Sequence, residues 1–498
     1  MANIDQGLLN LANELGVRLA PDAPEFLSGR EDVEQLLREV AEKKLFVAGK
    51  KDLEEIVKQW ESKIPLPVES SGAASYRPIS KEYDSKLEIE YDLEVTRKTK
   101  CAGEVKDFVQ YFRNRFERTS ACLRARASTS GAVKIQAAQK MPGKAVRIIA
   151  MVAEKKQTKN GHILLELEDE ETTQLALILK NDRKTSEAFT KAQNLLFDEV
   201  CAFDGKISNQ FFIVEDITWP DIPLKQAKMI EEDLAIGMIS DMHVGSKKFL
   251  EENFRKFLDA LKGKGIKQHL ETLGKVKYIT IAGDLVDGVG VYPNQEKDLA
   301  EKDIYQQYVQ FERLINEIPD HIEIIVAPGN HDAVRRAEPQ PAVSDIIKDL
   351  NSSGKIRYVG SPAYYKAHGF RGLMYHGTSL DSIIAALKGM DYHTPEKPMV
   401  ELLKRRNLSP IYGDNPIVPE EKDYMLIDGE IDILQMGHIH KNGSTVYRGV
   451  SVVNSGTWQA RTDFQIRQGH VPTPALVPVF EMKYGQAKLL DFNYGVAL

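Results

Sequence analysis

Cysteine is nearly absent from this chain. Its 498 residues include three, Cys101, Cys122 and Cys201, too few and too scattered for a disulfide framework or a zinc cluster, and a reducing cytoplasm suits them. A secretory leader is missing from the opening MANIDQGLLNLANELG, which carries Asp5 and Glu14 early and no basic stretch ahead of its leucines. No uninterrupted apolar run approaches the roughly 20 residues of a membrane span, so no membrane partner is expected. Positive charge is not in excess either. With 66 Lys+Arg against 73 Asp+Glu the net charge is −7, so the whole-molecule field does not attract nucleic acid. Any DNA contact must come from local basic patches or from a partner. What is present is 42 % apolar residues, enough for several cores, and a length that calls for two to four domains.

Residues 1–61 read as a helical module. Leu8, Leu9, Leu11, Ala12 and Leu15 share a face that Gly16 ends, Val33, Leu36, Leu37, Val40 and Ala41 form a second stripe, and Leu53, Ile56, Val57 and Trp60 a third. Residues 62–103 read as a linker broken by Pro65, Pro67, Ser70, Ser71, Gly72 and Pro78. Within 104–140 an amphipathic helix leads on, with Val105, Phe108, Val109, Phe112 and Phe116 on one stripe. Arg113, Arg115 and Arg118 lie off it and read as a solvated face. Over 141–225 the period changes to that of strands: VRIIAMVAEK and HILLELED with Asn160-Gly161 as a hairpin turn, then TQLALILK, EVCAFDGKI and FFIVEDITW. Five short strands suit an OB-type barrel, which either binds nucleic acid or serves packing alone. The segment has no aromatic stacking row to decide between these.

From 230 to 498 the runs LAIGMIS, KYITIAG, IEIIVAPG, LMYHG, IDILQMG and VSVVNSG alternate with helical segments, the pattern of an α/β domain. PALVPVFEMKY and AKLLDFNY suggest a second sheet packed on the first. Polar clusters follow the apolar runs, at the strand ends where such folds place their sites. They are Asp241-Met242-His243, Gly283-Asp284 with Asp287 behind it, Gly329-Asn330-His331-Asp332, Tyr375-His376-Gly377 and Gly437-His438-Ile439-His440. Asp241 and His243, like His438 and His440, lie two apart and share a face on an extended segment. A carboxylate such as Asp284 can bridge two ions, Asn330 offers a carbonyl oxygen, and Asp287 reads as a supporting group. His331 is placed to protonate a leaving oxygen or stabilise charge, and Asp332 to orient it. Singly, each histidine reads as an ordinary core or surface histidine, and Asp284 as a helix cap. Together, five of the eleven histidines fall inside these motifs, and the set suits two divalent transition-metal ions: Mn²⁺ first, with Fe²⁺, Ni²⁺ or Zn²⁺ as alternatives. Such a pair clamps a phosphoryl group and activates water.

The order D-x-H, G-D-x-x-D, G-N-H-D, H-G, G-H-x-H resembles the signature of the calcineurin-like phosphodiesterases. The resemblance implies a two-sheet β-sandwich flanked by helices, an α/β (α+β) fold. It implies one metal on Asp241, His243, Asp284 and His440, a second on Asp284, Asn330, His376 and His438, and His331 as the catalytic imidazole. The order helical module, linker, barrel, phosphodiesterase domain resembles the small subunits of archaeal D-family DNA polymerases. So do ISDMHVGSKKF, DFVQYFRNRF, APGNHDAVRRAEPQP, MVELLKRRNLSPIYG and QGHVPTPALVPVFEM. That resemblance implies a 3′→5′ proofreading exonuclease acting on single-stranded or mismatched DNA 3′ ends. It also implies a heterodimer with a large catalytic subunit and a cytoplasmic, nucleoid-associated place. The alternatives are a scaffolding subunit that hydrolyses nothing and another hydrolase of the superfamily. Arg335 and Arg336 are candidate DNA contacts, against the plainer reading of a solvated or partner-facing patch. Lys404, Arg405 and Arg406 form a weaker one. A sliding clamp is a further candidate partner, through the segment QARTDF.

Overall fold

The computed structural model describes residues 76–180, 186–343 and 354–494. Before residue 76 it describes residue 12, residues 17–20, 22–27, 33–42 and 47–54, and residue 56. The chain divides into two compact units, Met1–Ala74 and Ser75–Leu498.

In the first unit the helices Ala23–Leu27 and Val33–Glu42 are flanked in sequence by two short strands that pair in parallel, β1 (Arg18–Leu19) and β2 (Val47–Ala48). Leu27, Leu36, Leu37, Val40, Leu53 and Ile56 are buried together, so the stripe read from Val33 to Ala41 does face a core. The module is not purely helical, because β1 and β2 pair. The stripe at Leu8–Leu15, apart from Ala12, and most of the Leu53–Trp60 stripe lie outside the described residues.

The second unit opens with strand β3 (Leu87–Ile89), inside the stretch expected to be linker. It pairs antiparallel with a later strand at Tyr365↔Ile89, and Lys86 N donates to the Tyr278 hydroxyl at 2.8 Å. Residues 76–103 are therefore stitched to the C-terminal domain by pairings hundreds of positions away, which no local pattern signals.

A five-stranded barrel follows: β4 (Ala145–Gln157), β5 (Ile163–Glu168), β6 (Thr173–Ile178), β7 (Val200–Ser208) and β8 (Phe211–Thr218), closed in the order β4-β5-β6-β8-β7. This is the expected OB-like barrel, and alternate residues such as Ile148, Ala150, Val152, Leu165 and Leu167 fill it. The helix Val105–Arg124 packs Phe116 and Leu123 against Ile149, Met151, Val200 and Ala202.

That helix corrects two expectations. Val105 and Val109 of the apolar stripe are 79 % and 53 % exposed. Arg115, expected in solvent, is fully buried: its Nε donates to Asp423 Oδ2 at 2.8 Å, its Nη2 to the Tyr111 hydroxyl at 2.7 Å and its Nη1 to Pro410 O at 2.9 Å. Arg118 pairs with Asp428 and donates to Asp423 O at 2.6 Å. Arg115 and Arg118 are covered by the segment around Asp423 and Asp428, while Arg113 is exposed as expected. Arg405, expected in a basic patch, is likewise buried: its Nε lies 2.9 Å from Glu199 Oε2, and its Nη2 donates to Asn194 O at 2.6 Å. Lys404 Nζ sits 4.4 Å from the Trp219 ring centre, and Arg406 donates to Gly429 O at 2.7 Å. Lys404 and Arg405 thus join barrel to domain, while Arg406 closes a loop of its own domain.

The C-terminal domain is a sandwich of two six-stranded sheets. The first runs β12-β11-β10-β9-β18-β19, with β9 (Ala235–Ile239), β10 (Val276–Ala282), β11 (Glu323–Ala327) and β12 (Ile356–Tyr358) parallel. β9 and β10 are buried along their whole length, as strands covered on both faces must be. The second runs β16-β17-β15-β14-β13-β3 and contains β13 (Ala363–Ala367), β14 (Phe370–Met374), β15 (Ile433–Met436), β16 (Asn442–Tyr447) and β17 (Val450–Ser455). The C-terminal strands β18 (Leu476–Glu481) and β19 (Gln486–Asp491) do not build a second sheet, as their position suggested. β18 pairs antiparallel with β9 at Val479↔Gly237 and extends the first.

Alternation along the strands makes the layers. Ile236, Met238, Tyr278 and Ile325 meet Tyr365, Phe370, Met374 and Ile433 between the sheets. Ile239, Ile279, Ile281 and Val326 face Phe254, Phe257, Tyr308 and Phe311 on the helices outside. Leu434 and Val452 face Leu380, Ile383, Met399 and Leu402 on the other side. Truncating one such aromatic to Ala costs about 3–5 kcal/mol. No helix among the described residues is long and apolar enough to cross a membrane.

Candidate metal centre

The polar clusters converge at the ends of β9, β10, β11, β14 and β15. Here the strands turn sharply, and the turning residues are not glycines: Asp241, His243, Asp284, His438 and His440 have φ of 50°, 51°, 51°, 68° and 58°. A side chain in this left-handed region costs of order 1–3 kcal/mol, and such residues collect where function requires them. Glycines supply the closest approaches. A Cβ on Gly283 (φ 90°) would lie 2.4 Å from His376 Nδ1, and one on Gly329 would lie 2.2 Å from Asp284 Oδ1.

Three overlapping groups result, Asp241–His243–His440, His243–Asp284–His331 and Asp241–Asp284–His376, each with ligand atoms within 4.8 Å of one another. His243 Nε2 is 3.0 Å from His440 Nε2 and 3.6 Å from Asp284 Oδ2. His440 Nε2 is 3.3 Å from Asp241 Oδ1. His376 Nε2 is 2.9 Å from Asn330 Oδ1 and 3.4 Å from Asp284 Oδ2. His438 comes near this second half, its ring centre 5.2 Å from that of His376. Asp284 thus stands between the two halves.

The donor set fits divalent cations. His376 Nδ1 faces the Ala282 carbonyl at 2.8 Å, which only accepts, so the proton sits on Nδ1. Nε2 then aims its lone pair at two oxygens, and only a proton or a cation can reconcile the three. The pKa values show the same demand. Burial alone would lower that of His376, but the charge of Asp284 and its hydrogen bond outweigh this and push it up to about 10. For His243, burial is outweighed by the Asp287 hydrogen bond and the charges of Asp284, Asp287 and Asp241, giving about 9. Asp284 is held well below the usual carboxylate range, because His376, His331 and His243 offset its burial. A site that recruits protons onto imidazoles in this way suits metal ions.

Asp287 supports the site. Its Oδ1 is 3.0 Å from His243 Nδ1 and accepts from Gln459 Nε2 at 3.0 Å, while its backbone carbonyl lies 2.7 Å from His331 Nδ1. That carbonyl fixes His331 with its proton on Nδ1 and leaves Nε2 for exchange with whatever enters the cleft that His331 lines. Burial pulls the His331 pKa down, so the ring is neutral near pH 7.

Asp332 does not orient His331, contrary to expectation. It turns back into its own loop, where Oδ2 accepts from Gly329 N at 2.8 Å and Leu285 N at 3.2 Å and Oδ1 from the Tyr308 hydroxyl at 3.0 Å. Burial and the neighbouring Asp284 raise its pKa to about 7.

Arg335 is held by other partners and is not a free cation, whereas Arg336 is exposed and meets only backbone carbonyls. Arg335 donates to Pro339 O at 2.6 Å and pairs with buried Glu420 at 3.1 Å, while Arg336 donates to Gly290 O at 3.0 Å. Both close loops that would otherwise leave carbonyls unpaired. In QARTDF, Gln459 is buried against Asp287 and Ser246 and Thr462 caps the helix Asp463–Gln468, while Asp463 and Phe464 are exposed.

Two supporting residues escaped the sequence reading. Asp381 Oδ2 lies 2.9 Å from His438 Nε2, and Gln465 Nε2 lies 2.9 Å from His440 Nδ1. Asp381 sits in no motif. Gln465 stands three after Thr462, a capping-box spacing that was legible.

Residues 234–442 match the family model described as calcineurin-like phosphoesterase, the class of protein that this sandwich and this ligand cluster define. The wider chain is more specific. It is 44 % identical over 426 residues to the DNA polymerase II small subunit of Methanocaldococcus jannaschii, covering 84 % of this chain and 71 % of that protein. It is 43 % identical to that of Archaeoglobus fulgidus (78 % and 77 % covered) and 36 % identical to that of Pyrococcus horikoshii (88 % and 72 % covered). The chain belongs to the family of archaeal DNA polymerase II small subunits.

Proposed function

We propose that this chain is a 3′→5′ exonuclease that removes terminal nucleotides from unpaired DNA ends, as the small subunit of a DNA polymerase whose larger subunit it also scaffolds. The observation that carries the reading is the gathering of Asp241, His243, Asn330, His376, His438 and His440 about Asp284, at a cleft of about 750 Å³. Asp241, His243, Asp284 and His440 would hold one divalent cation, and Asp284, Asn330, His376 and His438 a second, with Mn²⁺ the first choice. Two such ions polarise the phosphodiester and supply a nucleophilic water. The chain's own residues do the rest. Asp287 and Asp381 hold ligand imidazoles in one tautomer. His331, anchored through Nδ1, presents Nε2 to accept a proton from the attacking water, and once it carries that proton it can pass it to the leaving oxygen. The smallest test is turnover of bis(p-nitrophenyl) phosphate with added Mn²⁺. Hydrolysis that EDTA abolishes supports the reading, and none with any of Mn²⁺, Fe²⁺, Ni²⁺ or Zn²⁺ leaves scaffolding as the function.

A further inference from the structure

The chemistry above leaves the rims of the cleft unused. Lining the same space as His331 and His438 are Tyr292 and Lys297 on one segment, and Tyr392, Phe464, Arg467 and His470 on others. Phe464 is 58 % exposed and Tyr292 38 %. Exposed aromatics gathered with cations at one mouth have the make-up of a single-strand-binding surface, where rings meet bases and cations meet phosphates.

Two of these rings are already organised. Tyr392 lies on His470 with ring centres 4.0 Å apart and planes 29° from parallel, and both are partly exposed. Separate turns deliver them. Asp391 Oδ1 accepts from His393 N at 2.8 Å and Thr394 N at 2.9 Å, which fixes the turn at Tyr392. Gly469, at φ 73°, ends the helix Asp463–Gln468, and His470 N donates to Gln465 O at 2.8 Å. Tyr392 also packs on the helical core beneath. Burial and the charge of Asp381, the carboxylate that holds His438, raise the pKa of the Tyr392 hydroxyl. The stacked pair thus lies beside the carboxylate that holds a candidate metal ligand. Nothing in the hydrolytic step asks for it.

We propose that the Tyr392–His470 stack is the platform on which the terminal nucleobase of an unpaired strand lies while its phosphodiester reaches the metal centre, an inference that rests on the nuclease reading above. Every base has a π-face, so such a platform tolerates all four. A paired terminal base is already stacked in its duplex and must give that up first. The site then favours frayed or mismatched ends without reading any sequence.

The test uses the full-length chain carrying His331→Ala, so that the probe survives, with Mn²⁺. The probe is a single-stranded tetranucleotide bearing 2-aminopurine at its 3′ end, whose fluorescence falls on stacking. The expected result is quenching on binding. Adding His470→Ala or Tyr392→Ala removes the quenching and weakens binding roughly tenfold, while Tyr392→Phe keeps both. Equal quenching and affinity in all variants overturns the platform. So does a Tyr392→Phe loss as large as that of Tyr392→Ala, since the hydroxyl and not the ring would then matter. If wild type cleaves bis(p-nitrophenyl) phosphate but binds no oligonucleotide, the platform fails and the hydrolase reading stands. Ring-dependent binding with no hydrolysis of any substrate leaves the platform and removes the nuclease.

Discussion

Asp381 touches no expected metal position, yet its removal should cost metal affinity. Its Oδ2 lies 2.9 Å from His438 Nε2, and a carboxylate there requires the proton on Nε2, which leaves Nδ1 as the only ring atom with a lone pair for a cation. In Asp381→Ala the proton is free to move to Nδ1 and the ring is free to turn. Loss of such a partner typically costs 10–100-fold in metal affinity, about 1.4–2.7 kcal/mol. Asp381→Asn keeps an acceptor oxygen in place and loses only the charge, so it should fall between wild type and Ala. Because Asp381 also acts on the Tyr392 hydroxyl, Tyr392→Phe is the control, and it should leave the titration unmoved. Calorimetric titration with Mn²⁺ reads the effect, and hydrolysis of bis(p-nitrophenyl) phosphate should fall at low Mn²⁺ and recover at saturation. Wild-type affinity and rate in Asp381→Ala would refute the argument.

Other consequences are equally open to measurement. His331→Ala should leave the Mn²⁺ titration near that of wild type and slow hydrolysis by roughly 10²–10⁴; an unchanged rate removes His331 from the mechanism. Arg115→Ala strands Asp423 without its buried partner and should cost about 3–5 kcal/mol in urea unfolding, whereas a loss below about 1 kcal/mol would mean that water reaches the joint. Glu312 is buried, with its Oε2 accepting from Asn316 at 3.2 Å, and burial raises its pKa to about 7 from the ordinary 4.5. The folded protein therefore keeps a proton that the unfolded chain releases between those values, so stability should fall as pH rises from about 4.5 to 7 and level off above. Glu312→Gln should flatten that dependence in unfolding curves at pH 5, 6, 7 and 8, and an identical slope in the variant would contradict the assignment.

The ligand clusters were legible because each is short, sits at the end of an apolar run and pairs residues at a strand spacing. Their convergence was not visible, since the turns that achieve it depend on left-handed backbone at side-chain-bearing residues, which sequence patterns do not announce. The barrel was legible from alternation and the Asn160-Gly161 turn. The arginines were misread for one reason. Arg115 and Arg405 look like solvated charges within their own helices, and their partners Asp423 and Glu199 lie 308 and 206 residues away. The same long-range pairing turned part of a proline-broken linker into β3. Asp287 is the supporting group it was read as, whereas Asp332 caps amides of the tight loop at Gly329 and leaves His331 without a carboxylate. His331 takes its anchor from a backbone carbonyl instead.

The most direct measurement is digestion of single-stranded and 3′-mismatched DNA, labelled in turn at the 3′ and 5′ ends, with Mn²⁺, by wild type and by Asp284→Ala, alone and with the larger polymerase subunit. The account predicts stepwise release of mononucleotides from the 3′ end, faster from mismatched than paired termini and lost in Asp284→Ala. No release under any of these conditions, or release that survives Asp284→Ala, would contradict it.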